Sequence, residues 1–337
     1  MSNLKTKYLG IDIKNPIVVG ASNMVTDMDT IKKAEESGAA AIVFKSLFEE
    51  QIQLESYQME DDMEEYNERN AEMIKLFPDI KHAGPEEHLL NLRKTKENLS
   101  IPVIASLNAI YKESWVDYAS QIAQTGVDAL ELNFYAVPRE LYQTSQIIEA
   151  EQIEILKAVK AKVNIPVSVK LSYFYSNPLS IISEMGEAGA DGFVLFNRLF
   201  QPDIDMDTQE HFTPFNLSNE ADNRIPLRFV GLLYGNLSAD LIASSGIFTG
   251  KDVAKMILAG ANSVQAVSTF YKNKVDHVSV MLRELEEWMQ AKGYKSLDDF
   301  RGKLSRKNIS DPFVYKRAQY IDLLLKSNEL LKPSALR

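Results

Sequence analysis

Eight short apolar runs, a helix-end glycine repeated ahead of four of them, and polar residues closing nearly every run predict an α/β protein. The predicted form is a closed TIM (β/α)8 barrel with long loops after strands 2 and 6 and a helical C-terminal extension. A chain of 337 residues with 45% hydrophobic content can bury one large core, and one barrel with extensions is simpler than two ordinary domains. The expected division is a single barrel domain over 1–310 and a helical tail over 311–337.

NPIVVGAS from Asn15 reads as the first strand. SGAAAIVFKS from Ser37, TGVDALELNF from Thr125, AGADGFVLFN from Ala188 and AGANSVQAVS from Ala259 share a helix end, a glycine, a small residue and then a strand, giving strands 2, 4, 6 and 8. Glycine there supplies the left-handed conformation that ends a helix. NLSIPVIASLN from Asn98 and KVNIPVSVKLS from Lys162 begin strands 3 and 5 with Ile-Pro-Val, and proline is acceptable at the first residue of a strand. DLIASSG from Asp240 supplies strand 7. Neither GxGxxG nor GxxxxGK[ST] occurs, which argues against an open doubly wound sheet with a glycine-rich nucleotide loop.

The connection over 47–84 is rich in carboxylates. It carries Met59, Met63, Tyr66, Asn70, Met73 and Phe77 at three-to-four spacing, which predicts an amphipathic helix outside the barrel, with its charges on a solvated face. The connection over 198–224 has no clear period and reads as a lid at the barrel mouth. Past Lys274, HVSVMLRELEEWMQAKGY is amphipathic, and Ser296 is placed to cap the turn that follows.

The strand ends carry the polar residues: Ala21-Ser22, Lys45-Ser46, Ser106 with Asn108, Glu131 with Asn133, Lys170 with Ser172, Asn197, Ser245-Gly246 and Ser268-Thr269. In a barrel these converge on one mouth. The stretch 240–271 reads as strand, turn, helix, strand, and backbone N–H groups after strands 7 and 8 would suit a phosphate dianion. The plainer alternative is two turns rich in small residues. In VSVKLS, Ser168, Lys170 and Ser172 share one parity. An inward Lys170 needs a ligand or a partner; an outward lysine, or a structural pair with Glu131, are the other readings.

A balance of 37 basic against 47 acidic residues, net −10, opposes binding to nucleic acid or to an anionic membrane. With no cysteine, the chain itself offers no disulfide, thiolate metal site, iron–sulfur ligation or cysteine nucleophile. The N-terminus lacks an apolar signal core and no run approaches a membrane span, so a soluble cytoplasmic protein is expected. His82, His88, His211 and His277 show no metal-ligand spacing and read as surface or loop residues, and no GxSxG elbow occurs.

With those residues in view, the chain resembles the dihydroorotate dehydrogenase family of FMN-binding barrels. LGIDIKNPIVVGAS, IVFKS, DALELNF, IPVSVKLS, GFVLFN, SSGIFTGKDVAKMILAGANSVQAVST and GYKSLDDFRGKL carry the likeness in order. The resemblance implies that Ala21-Ser22 and Ser46 contact the flavin, that Lys45 and Asn133 approach flavin and substrate, and that Lys170 reaches the flavin ring. It further implies that Asn197 faces the substrate and that Ser245-Gly246 and Ser268-Thr269 hold the phosphate. Such a protein would be an FMN-dependent oxidoreductase acting on CH–CH groups of a small molecule, dihydroorotate in pyrimidine biosynthesis or a relative, and would favour a homodimer. Its electron-transfer partner is open, although an iron–sulfur relay would need a second chain.

Four places depart from the family pattern, one being the family's Asn-containing loop before strand 3, which is absent, with His82-Ala83-Gly84-Pro85 in its neighbourhood. The loop after strand 4, where the family carries a Cys or Ser base, reads Asn133-Phe134-Tyr135-Ala136-Val137-Pro138, leaving Tyr135, Tyr142 or Ser145 as replacements. Arg198 follows Asn197 in place of a small hydroxyl residue, and Ser245-Gly246 replaces a Gly pair. The flavin side is thus retained and the substrate side altered. A barrel lyase or isomerase acting on a phosphorylated substrate through Lys170, and a flavin-binding protein without turnover, are the alternative functions.

Overall fold

The computed structural model describes residues 2–52, 85–134, 141–198, 201–214, 217–316 and 319–325. Eight parallel strands form the barrel: β1 (Ile17–Val19), β2 (Ala41–Val43), β3 (Val103–Asn108), β4 (Ala129–Asn133), β5 (Val167–Leu171), β6 (Gly192–Leu195), β7 (Asp240–Ser244) and β8 (Ser263–Ala266). β1 pairs with both β2 and β8, the remaining strands follow in order, and the Ile42–Val103 pairing of β2 with β3 closes the sheet. The helices between them are α1 (Met28–Glu36), α2 (Glu86–Asn98), α3 (Lys112–Ala123), α4 (Ser145–Lys162), α5 (Pro178–Glu187), α6 (Arg224–Leu233) and α7 (Gly250–Ala259). α8 (Ser268–Asn273) and α9 (His277–Lys292) follow β8.

Strand alternation divides the apolar residues into two cores. Ile17, Val19, Ile42, Val167, Val169 and Leu171 face outward and pack with helix residues such as Ile31, Leu92, Trp115 and Leu156. Val18, Val43, Ile104, Ala129, Val194 and Ile242 face inward and fill the lower barrel. Each fully buried aliphatic side chain contributes roughly 1.5–3 kcal/mol to folding. Ahead of the barrel, Thr6–Tyr8 and Ile11–Ile13 form an antiparallel hairpin whose Tyr8, Leu9 and Ile13 join the inner core and close it from below. Gly192 makes room for this plug, since a Cβ there would lie 2.2 Å from the Leu9 side chain.

The four repeated glycines, Gly38, Gly126, Gly189 and Gly260, have positive φ of 104°, 86°, 100° and 126°, as their place at helix ends requires. The repeat also does something the pattern alone did not reveal. Asp128 and Asp191, each two residues past its glycine, accept the N–H of Val103 and Val167, the residues that follow the strand-starting prolines. The same carboxylates bind Lys96 and Lys160 from α2 and α4. One side chain therefore ties a helix and two strands at the base of the barrel.

Residues 53–84, where the amphipathic helix is expected, lie outside the described residues. The connection begins two residues later than expected, because Leu47–Phe48 extends the β2 side and pairs with Leu107 and Asn108. In the second long connection, Asp203–Asp205 pairs with Glu210–Phe212 as an exposed hairpin. Asp205 organises its turn by accepting from the N–H groups of Asp207 and Thr208, local chemistry that leaves no hydrophobic period to read. Ser296 forms a capping box with Asp299, as its position predicts. In the tail, the Tyr315 hydroxyl donates to the Leu304 carbonyl at 2.9 Å. Its ring lies against Gly231, where a Cβ would meet it within 3.0 Å, so the beginning of the tail docks on α6. A short helix, α10 (Gln319–Leu325), follows. Among the described residues no helix is long and apolar enough to cross a membrane.

Candidate active site

The C-terminal ends of the strands enclose a cavity of about 480 Å3, within the range of cofactor and small-molecule sites. Ala21 and Ser22 line it after β1, and Lys45 and Ser46 after β2. Asn133, Lys170 and Asn197 come from the ends of β4, β5 and β6, and Ser245, Gly246 and Ser268 from the β7 and β8 side. Tyr135 and Ala136 lie outside the described residues. Thr269 does not line the cavity: it is fully buried and its hydroxyl donates to the Phe248 carbonyl at 3.4 Å, so only its hydroxyl neighbour Ser268 faces inward.

Lys170 faces inward and is 6% exposed. Its ammonium lies 3.5 Å from Glu131 Oε1 and donates to Gln265 Oε1 at 3.3 Å. The Gln265 amide donates to Glu131 Oε2 at 2.5 Å and to the Tyr8 hydroxyl at 2.8 Å. Ser106 Oγ donates to Glu131 Oε1 at 3.4 Å and contacts Ser46 Oγ at 2.7 Å. Burial, reinforced by the Glu131 charge, raises the Tyr8 phenol well above its ordinary pKa. The cavity therefore has a charged floor, joined through Gln265 to the hairpin below. Lys170 faces the cavity and pairs with Glu131, so the outward reading is set aside. Gln265 was absent from the sequence expectation, although a long polar side chain at inward parity in VQAVS is the same signal that singled out Lys170.

Lys45 is held differently. It is partly exposed, and among the described residues it has no ion-pair partner. Behind it His88 packs edge-on against Phe44, with ring centroids 5.3 Å apart. Burial, and secondarily the Lys45 charge, lowers the pKa of this half-buried histidine to about 4, so it is neutral near pH 7. Above the floor, Asn197 Nδ2 donates to Asn133 Oδ1 at 2.9 Å, pairing two carboxamides across β4 and β6. Arg198 lines the mouth and pairs with Asp222 at 2.6 Å.

On the β7 and β8 side, Ser245 and Gly246 both adopt left-handed backbone, with φ of 80° and 71°. Positive φ is uncommon for a residue with a side chain, so Ser245 marks a constrained turn at this strand end. Ser218, from the connection after β6, bridges the two turns: it accepts from Gly246 N at 3.3 Å and donates to Ser268 Oγ at 2.8 Å. Sequence reading missed Ser218, because one serine in an aperiodic loop carries no signal. The start of α7 plays a different part from the one expected. The N–H groups of Phe248 and Thr249 donate to Asp252, and that of Gly250 to Glu284, so acidic side chains already occupy these donors. In the turn before the helix, the Gly246 N–H donates to Ser218 and the Ser245 hydroxyl to the Phe196 carbonyl at 3.1 Å.

Comparison with known proteins agrees with this architecture. The family model described as dihydroorotate dehydrogenase matches residues 3–289. The catalytic subunit of dihydroorotate dehydrogenase B (NAD(+)) from Thermoplasma volcanium is 27% identical over 307 residues, covering 90% of this chain and 98% of that protein. Dihydroorotate dehydrogenase A (fumarate) from Lactobacillus helveticus is 28% identical over 223 residues, 65% of this chain and 72% of that one. The chloroplastic dihydropyrimidine dehydrogenase (NADP(+)) of Arabidopsis thaliana is 25% identical over 334 residues, 89% of this chain and 76% of that one. A match over nearly the whole barrel, around a mouth lined by Lys45, Asn133, Lys170 and Asn197, identifies the chain as a member of the dihydroorotate dehydrogenase family, oxidoreductases acting on CH–CH groups.

Proposed function

We propose that the cavity holds FMN and that the chain uses it to oxidise or reduce a small cyclic molecule, dihydroorotate or a close relative. The observation that carries this is the cavity at the strand ends of a dihydroorotate dehydrogenase-family barrel, lined by Lys45, Asn133, Lys170 and Asn197; Ser22, which also lines it, has a buried hydroxyl without a hydrogen-bond partner. The left-handed Ser245-Gly246 turn supports one phosphate group, and there is no dinucleotide fingerprint, which favours FMN over FAD. When bound, FMN supplies hydride-transfer chemistry.

The protein's own residues divide the remaining work. Ser245, Gly246, Ser268 and Ser218 would hold the phosphate by hydroxyl and backbone donors. Lys170 would meet the ring from the floor with positive charge, which favours the negative charge gained on reduction. Lys45 and the Asn133–Asn197 pair would orient the substrate, with Lys45 available to an anionic group. The dihydroorotate and dihydropyrimidine in the relatives' names support a substrate of that class, and their different acceptors, NAD, fumarate and NADP, leave the acceptor open. Proton removal from the substrate needs a base that Ala136 does not offer, and Tyr135 is the candidate in that loop. A place in pyrimidine biosynthesis, a cytoplasmic location and a homodimer complete the reading.

The test is spectroscopic. The purified protein should be yellow, and mass spectrometry of the heat-released chromophore should give FMN; FAD, or no uptake on reconstitution, overturns the assignment. Stopped-flow reduction by dihydroorotate and by uncharged dihydropyrimidines then separates the two substrate classes. Dihydroorotate should gain in Ala136→Cys if the base is the missing part, by up to the roughly 10²- to 10⁴-fold that a positioned base contributes.

A further inference from the structure

We propose that Glu131 is a positioning residue that sets how much positive charge Lys170 presents to the flavin, making the cavity floor a tuned ion pair. The proposal rests on FMN occupying the cavity. Glu131 is fully buried and does not itself line the cavity, whereas Lys170 does. Gln265 and Ser106 donate to Glu131, and the Lys170 ammonium pairs with it at 3.5 Å. An ionised carboxylate accepts only, so this donor set fits the charged form.

Stability does not account for such a pair. The rest of the inner barrel is filled by Val18, Val43, Ile104, Val194 and Ile242, and replacing a buried ion pair by packed apolar residues is often neutral or stabilising. What the pair supplies is an oriented dipole: ammonium toward the cavity, carboxylate beneath it at 3.5 Å. For a ligand atom about 3 Å beyond the ammonium and in line with the pair, the 1/r law lets Glu131 cancel roughly half of the lysine's potential. Gln265 fixes the arrangement, accepting from Lys170 and donating to Glu131 and to Tyr8.

The signature is one of sign. Lys170→Met should weaken binding of reduced FMN relative to oxidised FMN and lower the reduction potential. Glu131→Gln, nearly the same shape, should do the opposite, and the double variant should fall between the two. Each single shift should be on the order of tenfold in the ratio of the two affinities, about 30 mV for a two-electron couple. Potentials are read by equilibrium titration against a reference dye, with FMN affinity measured by fluorescence. A merely structural Glu131 would move both singles in the same direction, or reduce FMN content without changing the potential, and either result overturns the proposal. If Glu131→Gln fails to fold, the double variant is compared with Lys170→Met. It should bind FMN roughly tenfold more tightly, because no unpaired carboxylate is left beneath the ring; equal or weaker binding overturns the proposal. Wild-type protein that takes up no FMN removes the cofactor reading and this assignment together, whereas FMN-loaded variants with the wrong sign remove only the assignment.

Discussion

The floor and the rim of the cavity each present a lysine, and the fold treats them in opposite ways. Lys170 is enclosed, with Glu131 and Gln265 at 3.5 and 3.3 Å; Lys45 stands partly in solvent with an uncharged histidine behind it. A buried charge needs a counterion, so the floor lysine is as much a part of the barrel's interior as of the site. A rim charge has water for compensation and can be committed to a ligand. Two residues that look equivalent at strand ends in the sequence therefore have different energetic standing.

Substitution should expose the contrast most strongly at the floor. Lys170→Met leaves Glu131 buried without its cation and should cost about 3–5 kcal/mol in urea unfolding, whereas Lys45→Met should stay within about 0.5 kcal/mol while impairing capture of an anionic substrate. Equal losses at the two positions would erase the distinction.

The rim carries a pH limit of its own. His88 has a folded pKa of about 4 against an ordinary 6.5. Its neutral form is therefore favoured by folding, and its contribution is complete above pH 6.5. As pH falls from there toward about 4, the unfolded chain takes up a proton that the native state refuses, and about 3 kcal/mol is lost. His88→Phe should flatten this limb of the stability curve, and an unchanged slope would show that the ring is not neutral in the fold.

On the β7 and β8 side the lining residues are uncharged, and smaller effects are expected there. A Cβ on Gly246 would sit 2.3 Å from the Asn223 nitrogen. Gly246→Ala should cost about 1–3 kcal/mol of distortion, or roughly five- to 150-fold in FMN affinity if all of it falls on the bound state. Smallest is the contrast between neighbours: Ser268→Ala should weaken FMN binding by about 1 kcal/mol, and Thr269→Val by less, since the Thr269 hydroxyl faces Phe248. The reverse order, measured by fluorescence titration, would return Thr269 to the site.

These differences also mark what could be read from the residues alone. Strand count, helix ends and the mouth were legible because period, glycine and Ile-Pro-Val are local signals, whereas the parity of VSVKLS put Lys170 on one face with Ser168 and Ser172 and left open whether that face points inward. Contacts between distant segments were not legible. Ser218 meets Ser268 across 50 residues, and nothing in NLSNEADN announces it. The N–H groups after strand 7 suit an anion by their position in the chain, yet those of Phe248, Thr249 and Gly250 are held by the cap carboxylate of Asp252 and the distant one of Glu284. For Thr269, position beside Ser268 indicated a shared role, and the first turn of α8 separates their directions.

The hydrogen bond from Gln265 to Tyr8 spans 257 residues. An N-terminal hairpin and the last barrel strand must therefore both be in place before the carboxamide beneath Lys170 has its partners, and no shorter segment contains all of them. Pairing at such sequence separation is the slow part of folding. Along the assembly route, the charged floor is thus a late product: a nascent chain that has made β1 to β7 holds both Lys170 and Glu131 but lacks the residue that locks them. Competence to bind ligand then arrives with closure of the barrel, and partly built chains are left without a finished site.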